Sequence, residues 1–174
     1  MESKVKLFGH PLHPVLIVLP LGLLSAAVVF DVIYLVTAEP AFATVAFWNI
    51  AAGVVGGLLA AVFGAWDWIH IPKETRAKRV GLIHGGGNVV VVGLFALSWL
   101  LRAGEPGYEP SAVAYALSFA GLALAAVTGW LGGELAYRLG VGVDPGANLD
   151  APSSLSGEPA TPDLRAAGRP VGRP

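Results

Sequence analysis

Four charge-poor apolar runs dominate this chain: Val15 to Val36, broken only by Asp31; Phe42 to Trp66, ending at Asp67; Val80 to Leu101, holding His84 and Asn88; and Ser111 to Gly133, stopping at Glu134. A helix rising 1.5 Å per residue needs roughly 20 residues to cross about 30 Å of hydrocarbon. Each run is read as one membrane span. The predicted fold is an all-α integral membrane four-helix bundle. Composition agrees, because 55% of the 174 residues are hydrophobic and 13% charged, where soluble domains average about 45–50% apolar and about 25% charged. A cleaved signal peptide over residues 1–28 is the weaker reading, since the apolar run continues past any small-residue cleavage site.

Three segments follow: an N-terminal segment over 1–14, the four-helix domain over 15–139 and a tail over 140–174. The tail turns abruptly to Gly, Pro, Ser and scattered charge, as in Asp144-Pro145-Gly146, and its composition predicts disorder.

Orientation is read from Lys and Arg, which favour the cytoplasmic side. Lys4 and Lys6 precede the first span, Lys73, Arg76, Lys78 and Arg79 join the second to the third, and Arg138, Arg165, Arg169 and Arg173 follow the fourth. Only Arg102 falls at the other end. Both termini are therefore expected in the cytoplasm. Tyr34, Trp48, Trp99 and Tyr115 are expected to form the outer aromatic belt, and Trp66, Trp68, Trp130 and Tyr137 the inner one.

Several functions are excluded early. The chain has no cysteine, so thiolate metal sites, Cys-held clusters and CxxCH haem attachment are ruled out. A net charge of −1 offers no basic face for nucleic acid. No Ser/His/Asp or paired-carboxylate pattern argues for a hydrolase.

Membrane helices associate through small residues and polar contacts. The second span carries a stripe of Asn49, Gly53, Gly56, Ala60, Gly64 and Asp67, and the fourth repeats Gly121, Ala125, Gly129 and Gly133. The third aligns His84, Asn88, Val91, Phe95, Ser98 and Arg102, and the first aligns His13, Pro20, Ala27 and Asp31. Pro20 leaves the Leu16 carbonyl free, which predicts a kink there.

All four histidines fall at the basic ends of their spans: His10 and His13 in Gly9-His10-Pro11-Leu12-His13-Pro14, His70 after the second span and His84 one turn inside the third. Three-residue spacing places His10 and His13 on one side of their segment. Ionisable groups at the edge of a span mark cofactors, ions or proton paths. One b-type haem, held axially by His84 and either His13 or His10 with Asn88 nearby, is the leading reading. Three glycines, Gly85 to Gly87, suit the approach of a flat group, and equally suit a neighbouring helix. A divalent metal on His10, His13, His84 and a carboxylate is the alternative, with a metal- or proton-handling transport role for Asp31, Asp67 and Glu134. A third reading is a structural membrane subunit whose histidines only anchor its ends. His70 is read as an interfacial residue, and Asp31 as the partner of Arg102 in a structural ion pair.

The opening Gly9-His10-Pro11-Leu12-His13-Pro14, running into Pro20-Leu21-Gly22, and the closing Gly132-Gly133-Glu134-Leu135-Ala136-Tyr137-Arg138 with Gly140-Val141-Gly142-Val143 resemble domain-of-unknown-function family 2231, small bacterial four-helix membrane proteins. Asp31, Asp67 and His84 stand where that family's pattern has Asp, Asp and His. Leu139 departs from it, since a His often follows Tyr-Arg there. The resemblance covers residues 8 to 144 and implies no established activity. Related domains joined to Rieske-type or cytochrome c modules, and a likeness to membrane b-type cytochromes, suggest electron transfer with a redox partner protein by association.

Overall fold

Residues 1–161 are described by the computed structural model, in which four helical spans stand where the apolar runs predict them: Leu12–Thr37, Pro40–His70, Arg76–Arg102 and Ala112–Arg138. Each extends its run by a few residues into polar sequence. Most of each span faces outward, as lipid permits for apolar side chains.

The first span is broken as Pro20 predicts. Helix α1 (Leu12–Leu16) gives way at Ile17 to α2 (Val18–Thr37), four residues before the position where the next backbone N–H, that of Leu21, bonds back to the Ile17 carbonyl at 3.1 Å. Ala38 ends α2 in the left-handed region at φ 55°, and Pro40 starts α3 (Pro40–His70) without losing a needed donor. Thr75 caps α4 (Arg76–Arg102) by accepting from the Lys78 amide at 3.1 Å, and Ser111 caps α5 (Ala112–Gly133) through the Ala114 amide at 3.3 Å. Side-chain oxygens at these two starts satisfy donors that no preceding turn can.

Helix α5 runs into a π-helical turn over Glu134–Arg138. The Leu139 amide reaches five residues back to the Glu134 carbonyl at 3.1 Å, the π spacing. Gly140 then takes φ 63°, and the Val141 amide closes onto the Leu135 carbonyl at 2.9 Å. That left-handed position is the reason a glycine ends this helix.

Packing is pairwise. Helix α2 lies along α3 and α4 along α5, and these two hairpins meet mainly through α3 and α4. The core holds Leu24, Ala27, Val28, Ala46, Ile50, Val91 and Phe95. Gly53 admits Leu24, whose Cδ2 is 2.6 Å from where a Cβ would stand, and Gly121 likewise admits Phe95 at 2.8 Å. In α5 the packed seam is Ala114, Ser118, Gly121 and Thr128, so the expected four-residue stripe is corrected: Gly129 has open space around it. A strict step of four drifts about 40° around a helix, and a seam alternating three and four stays on one face.

At the basic end, β1 (Lys6–Leu7) and β2 (His10–Pro11) form a short antiparallel hairpin. Its two turn residues, Phe8 and Gly9, both have positive φ, the signature of a type I′ turn. Asp67 holds this segment: Oδ2 accepts from the Ser3 hydroxyl at 2.7 Å and Oδ1 from the Lys4 amide at 3.0 Å. Lys6 pairs with Glu2 and Asp144, and the Gly142 amide donates to the Met1 carbonyl at 2.7 Å. The segment after Gly140, expected as a disordered tail, is irregular through residue 161 but lies against the N-terminal hairpin. The rest of the expected tail falls outside the described residues.

Candidate functional site

His13 lies in α1 and His84 in α4, and each ring crosses to the neighbouring helix of its own hairpin. His13 Nδ1 is 2.8 Å from the Ala60 carbonyl, and His84 Nδ1 is 2.8 Å from the Thr128 carbonyl. A carbonyl only accepts, so Nδ1 carries the proton in both rings and Nε2 is left with a lone pair in the neutral form. Glycines four residues further on make room. A Cβ at Gly64 would meet His13 Cε1 at 2.8 Å, and one at Gly132 would meet His84 Cε1 at 3.1 Å.

The two arrangements are copies of one another. Eighteen residues separate His13 from Asp31, and eighteen separate His84 from Arg102. Eleven separate His13 from Leu24 and His84 from Phe95, as they do Gly53 from Gly64 and Gly121 from Gly132. The first hairpin and the second are therefore structural repeats, with the histidines as equivalent residues.

The copies differ in their polar surroundings. Asn88 donates to the His84 carbonyl at 2.9 Å and approaches His84 Nε2 at 3.2 Å, and its Oδ1 accepts from the Thr128 hydroxyl at 2.9 Å. The positions equivalent to Asn88 and Thr128 are Ile17 and Ala60. Among the described residues no hydrogen bond reaches Nε2 of His13.

His10 does not join this pair. It sits exposed in β2, with Nε2 3.3 Å from the Ser154 hydroxyl, because the strand ends before the helix that carries His13 begins. Among the described residues no group of three His or carboxylate side chains is placed to hold a metal, so the expected set of His10, His13, His84 and a carboxylate is not assembled. Asp67 is occupied with the N-terminal segment, and Glu134 accepts from Arg76 at 2.7 Å. His70 bonds the Trp66 carbonyl at 2.8 Å within its own helix and is exposed, as its interfacial reading expects. Of the three glycines beside His84, Gly87 faces Thr128, and Gly85 and Gly86 face open space.

At the far end Asp31 and Arg102 form the expected pair. Arg102 Nη1 and Nη2 meet Asp31 Oδ1 and Oδ2 at 2.6 and 2.7 Å, and both side chains are fully buried. Nη2 also donates to Ser98 and Ser118, each at 3.1 Å. Bidentate geometry and two hydroxyls satisfy a charge that is otherwise costly to bury. Two members of the expected outer belt lie inward instead: Trp99 stacks on Phe47 at 5.5 Å, and neither Trp99 Nε1 nor the Tyr115 hydroxyl has a hydrogen-bond partner among the described residues. Trp48 keeps the expected outward position, as do Trp66, Trp130 and Tyr137 at the basic end.

Sequence reading missed the carbonyls of Ala60 and Thr128, the cradles at Gly64 and Gly132, and the hydroxyl of Thr128. The signal within reach was the repeated spacing of eighteen.

Four spans with a buried ion pair between hairpins define a multi-pass membrane protein. Residues 9–145 match the family described as predicted membrane protein (DUF2231), and the chain belongs to that family. No curated protein and no solved structure matches it.

Proposed function

We propose that this protein holds one b-type haem between His13 and His84 and transfers electrons to or from a redox partner protein at the basic end of the bundle, on the cytoplasmic side of a bacterial inner membrane. One observation carries the reading. Two equivalent histidines, from different hairpins at the same end, each commit Nδ1 to a backbone carbonyl, so that Nε2 carries the lone pair a metal ion would use. That second bond is what orients ligating imidazoles in metalloproteins. The donor set of two imidazoles would suit haem iron, which is held by histidine in many proteins and would supply one-electron chemistry there. The Ala60 and Thr128 carbonyls hold the rings in place, and His84 would have to exchange its Asn88 contact at Nε2 to bind the iron. His10 has no part in this pair. Among the described residues, every Lys and Arg except Arg102 stands at this end, which supports the cytoplasmic placement.

The test is the absorbance of the purified protein, oxidised and dithionite-reduced, after expression with a haem precursor. A Soret band lost in both His13→Ala and His84→Ala, and kept in His70→Ala, is expected. A colourless wild-type protein would sink the proposal. A reporter fused to the C-terminus is expected to read cytoplasmic, and a periplasmic signal overturns the placement.

A further inference from the structure

The π-helical turn that closes the fourth span opens a shallow groove of about 490 Å³ lined by Trp130, Gly133, Glu134, Tyr137 and Arg138. It lies at the basic end and straddles the end of the apolar run at Gly133. We propose that this groove binds the headgroup of an anionic membrane phospholipid. Trp130 and Tyr137 are 68% and 93% exposed, and amphipathic rings exposed at the end of a span sit at headgroup depth. Glu134, the carboxylate in the groove, is already engaged by Arg76, so it does not repel a phosphate as a free carboxylate does. Arg138 has no carboxylate partner among the described residues, and its fork of donors matches phosphate oxygens. These groups share one face because they stand at i, i+3, i+4, i+7 and i+8 along the span, the spacing that keeps side chains on one side of a helix. The motif Gly133-Glu134-Leu135-Ala136-Tyr137-Arg138, which the histidine pair leaves unused, thereby acquires a role.

Native mass spectrometry of the full chain, released from detergent micelles after incubation with phosphatidylglycerol or phosphatidylcholine, tests this. Phosphatidylglycerol is expected to be retained in preference. Arg138→Gln is expected to lower its retention about fivefold, the contribution of one Arg at an anionic surface, and Lys73→Gln, a basic residue outside the groove, to leave it unchanged. Equal retention of the two lipids, or an equal loss in the two variants, overturns the proposal. So does displacement of the lipid by excess inorganic phosphate, which marks a bare anion site. Trp130→Ala supplies a second check, since quenching by bromine-labelled phosphatidylglycerol is expected to fall with it and quenching by the labelled phosphatidylcholine to stay.

Discussion

The two ends of the bundle solve the same problem, polar groups inside an apolar structure, in opposite ways. At the far end Asp31 and Arg102 consume each other, and Ser98 and Ser118 take further guanidinium donors. At the basic end His13 and His84 each commit one nitrogen to a backbone carbonyl and keep the other. The difference teaches which end closes its polar groups on one another and which leaves an imidazole nitrogen without a charged partner. A charge pair left with one member is intolerable there, whereas a neutral imidazole can lose or change its Nε2 partner at little cost.

Breaking the far end is expected to have the largest effect. Arg102→Ala leaves Asp31 buried without a partner and is expected to cost about 3–5 kcal/mol, read as a fall in the thermal midpoint in detergent micelles. The exchange Asp31→Arg with Arg102→Asp should recover part of that loss, and no recovery would show that the two ends of the pair are not interchangeable. Filling a histidine cradle comes next. Gly132→Val pushes on the His84 ring and is expected to cost about 1–3 kcal/mol, the range for overpacking, with Gly64→Val acting alike on His13. A cost confined to one of the two would break the equivalence of the hairpins.

Thr128→Ala makes the second hairpin resemble the first, where Ala60 stands. It removes one hydrogen bond to Asn88 and is expected to cost about 1 kcal/mol without releasing His84, whose partner is the Thr128 carbonyl. Loss of the His84 environment, seen in its imidazole NMR resonance, would contradict that.

The smallest effect concerns pH at the covering segment. The Lys6 ammonium beside Asp144 holds that carboxyl below the usual carboxylate range, and the Asp144 carboxylate, then Glu2, raises Lys6. A lowered acid contributes stability above its ordinary pKa and loses it as pH falls through the folded value. A raised amine contributes below its ordinary pKa and loses it as pH rises through the folded value. Exchange of the Gly142 amide, corrected for its intrinsic pH dependence, is therefore expected to be slowest between these limits and to quicken modestly at either extreme. A flat profile would show that Asp67 alone holds the segment.

Much of this was legible in the sequence. Hydropathy located the spans because lipid selects length and apolarity directly, Pro20 marked the break at Ile17 because it cannot donate, and Asp31 pointed to Arg102 because a charge inside a span needs a partner. The histidine cradles were not legible in the same way. A backbone carbonyl has no letter of its own, so nothing at Ala60 or Thr128 announces an acceptor. The regular glycine repeat of the fourth span misled at Gly129 for a geometric reason, since four residues overshoot a helical turn. Residues far apart in sequence, such as Ser3 and Asp67, met through a folded hairpin that no periodicity describes.

The pairwise packing of helices has a consequence for biogenesis. Each hairpin buries its own seam, Leu24 over Gly53 in one and Phe95 over Gly121 in the other, so each can enter the bilayer and fold as a unit. The contact between Asp31 and Arg102 arises only when the second hairpin docks on the first. Until then a lone carboxylate and a lone guanidinium wait near the membrane surface, and docking is the event that removes both.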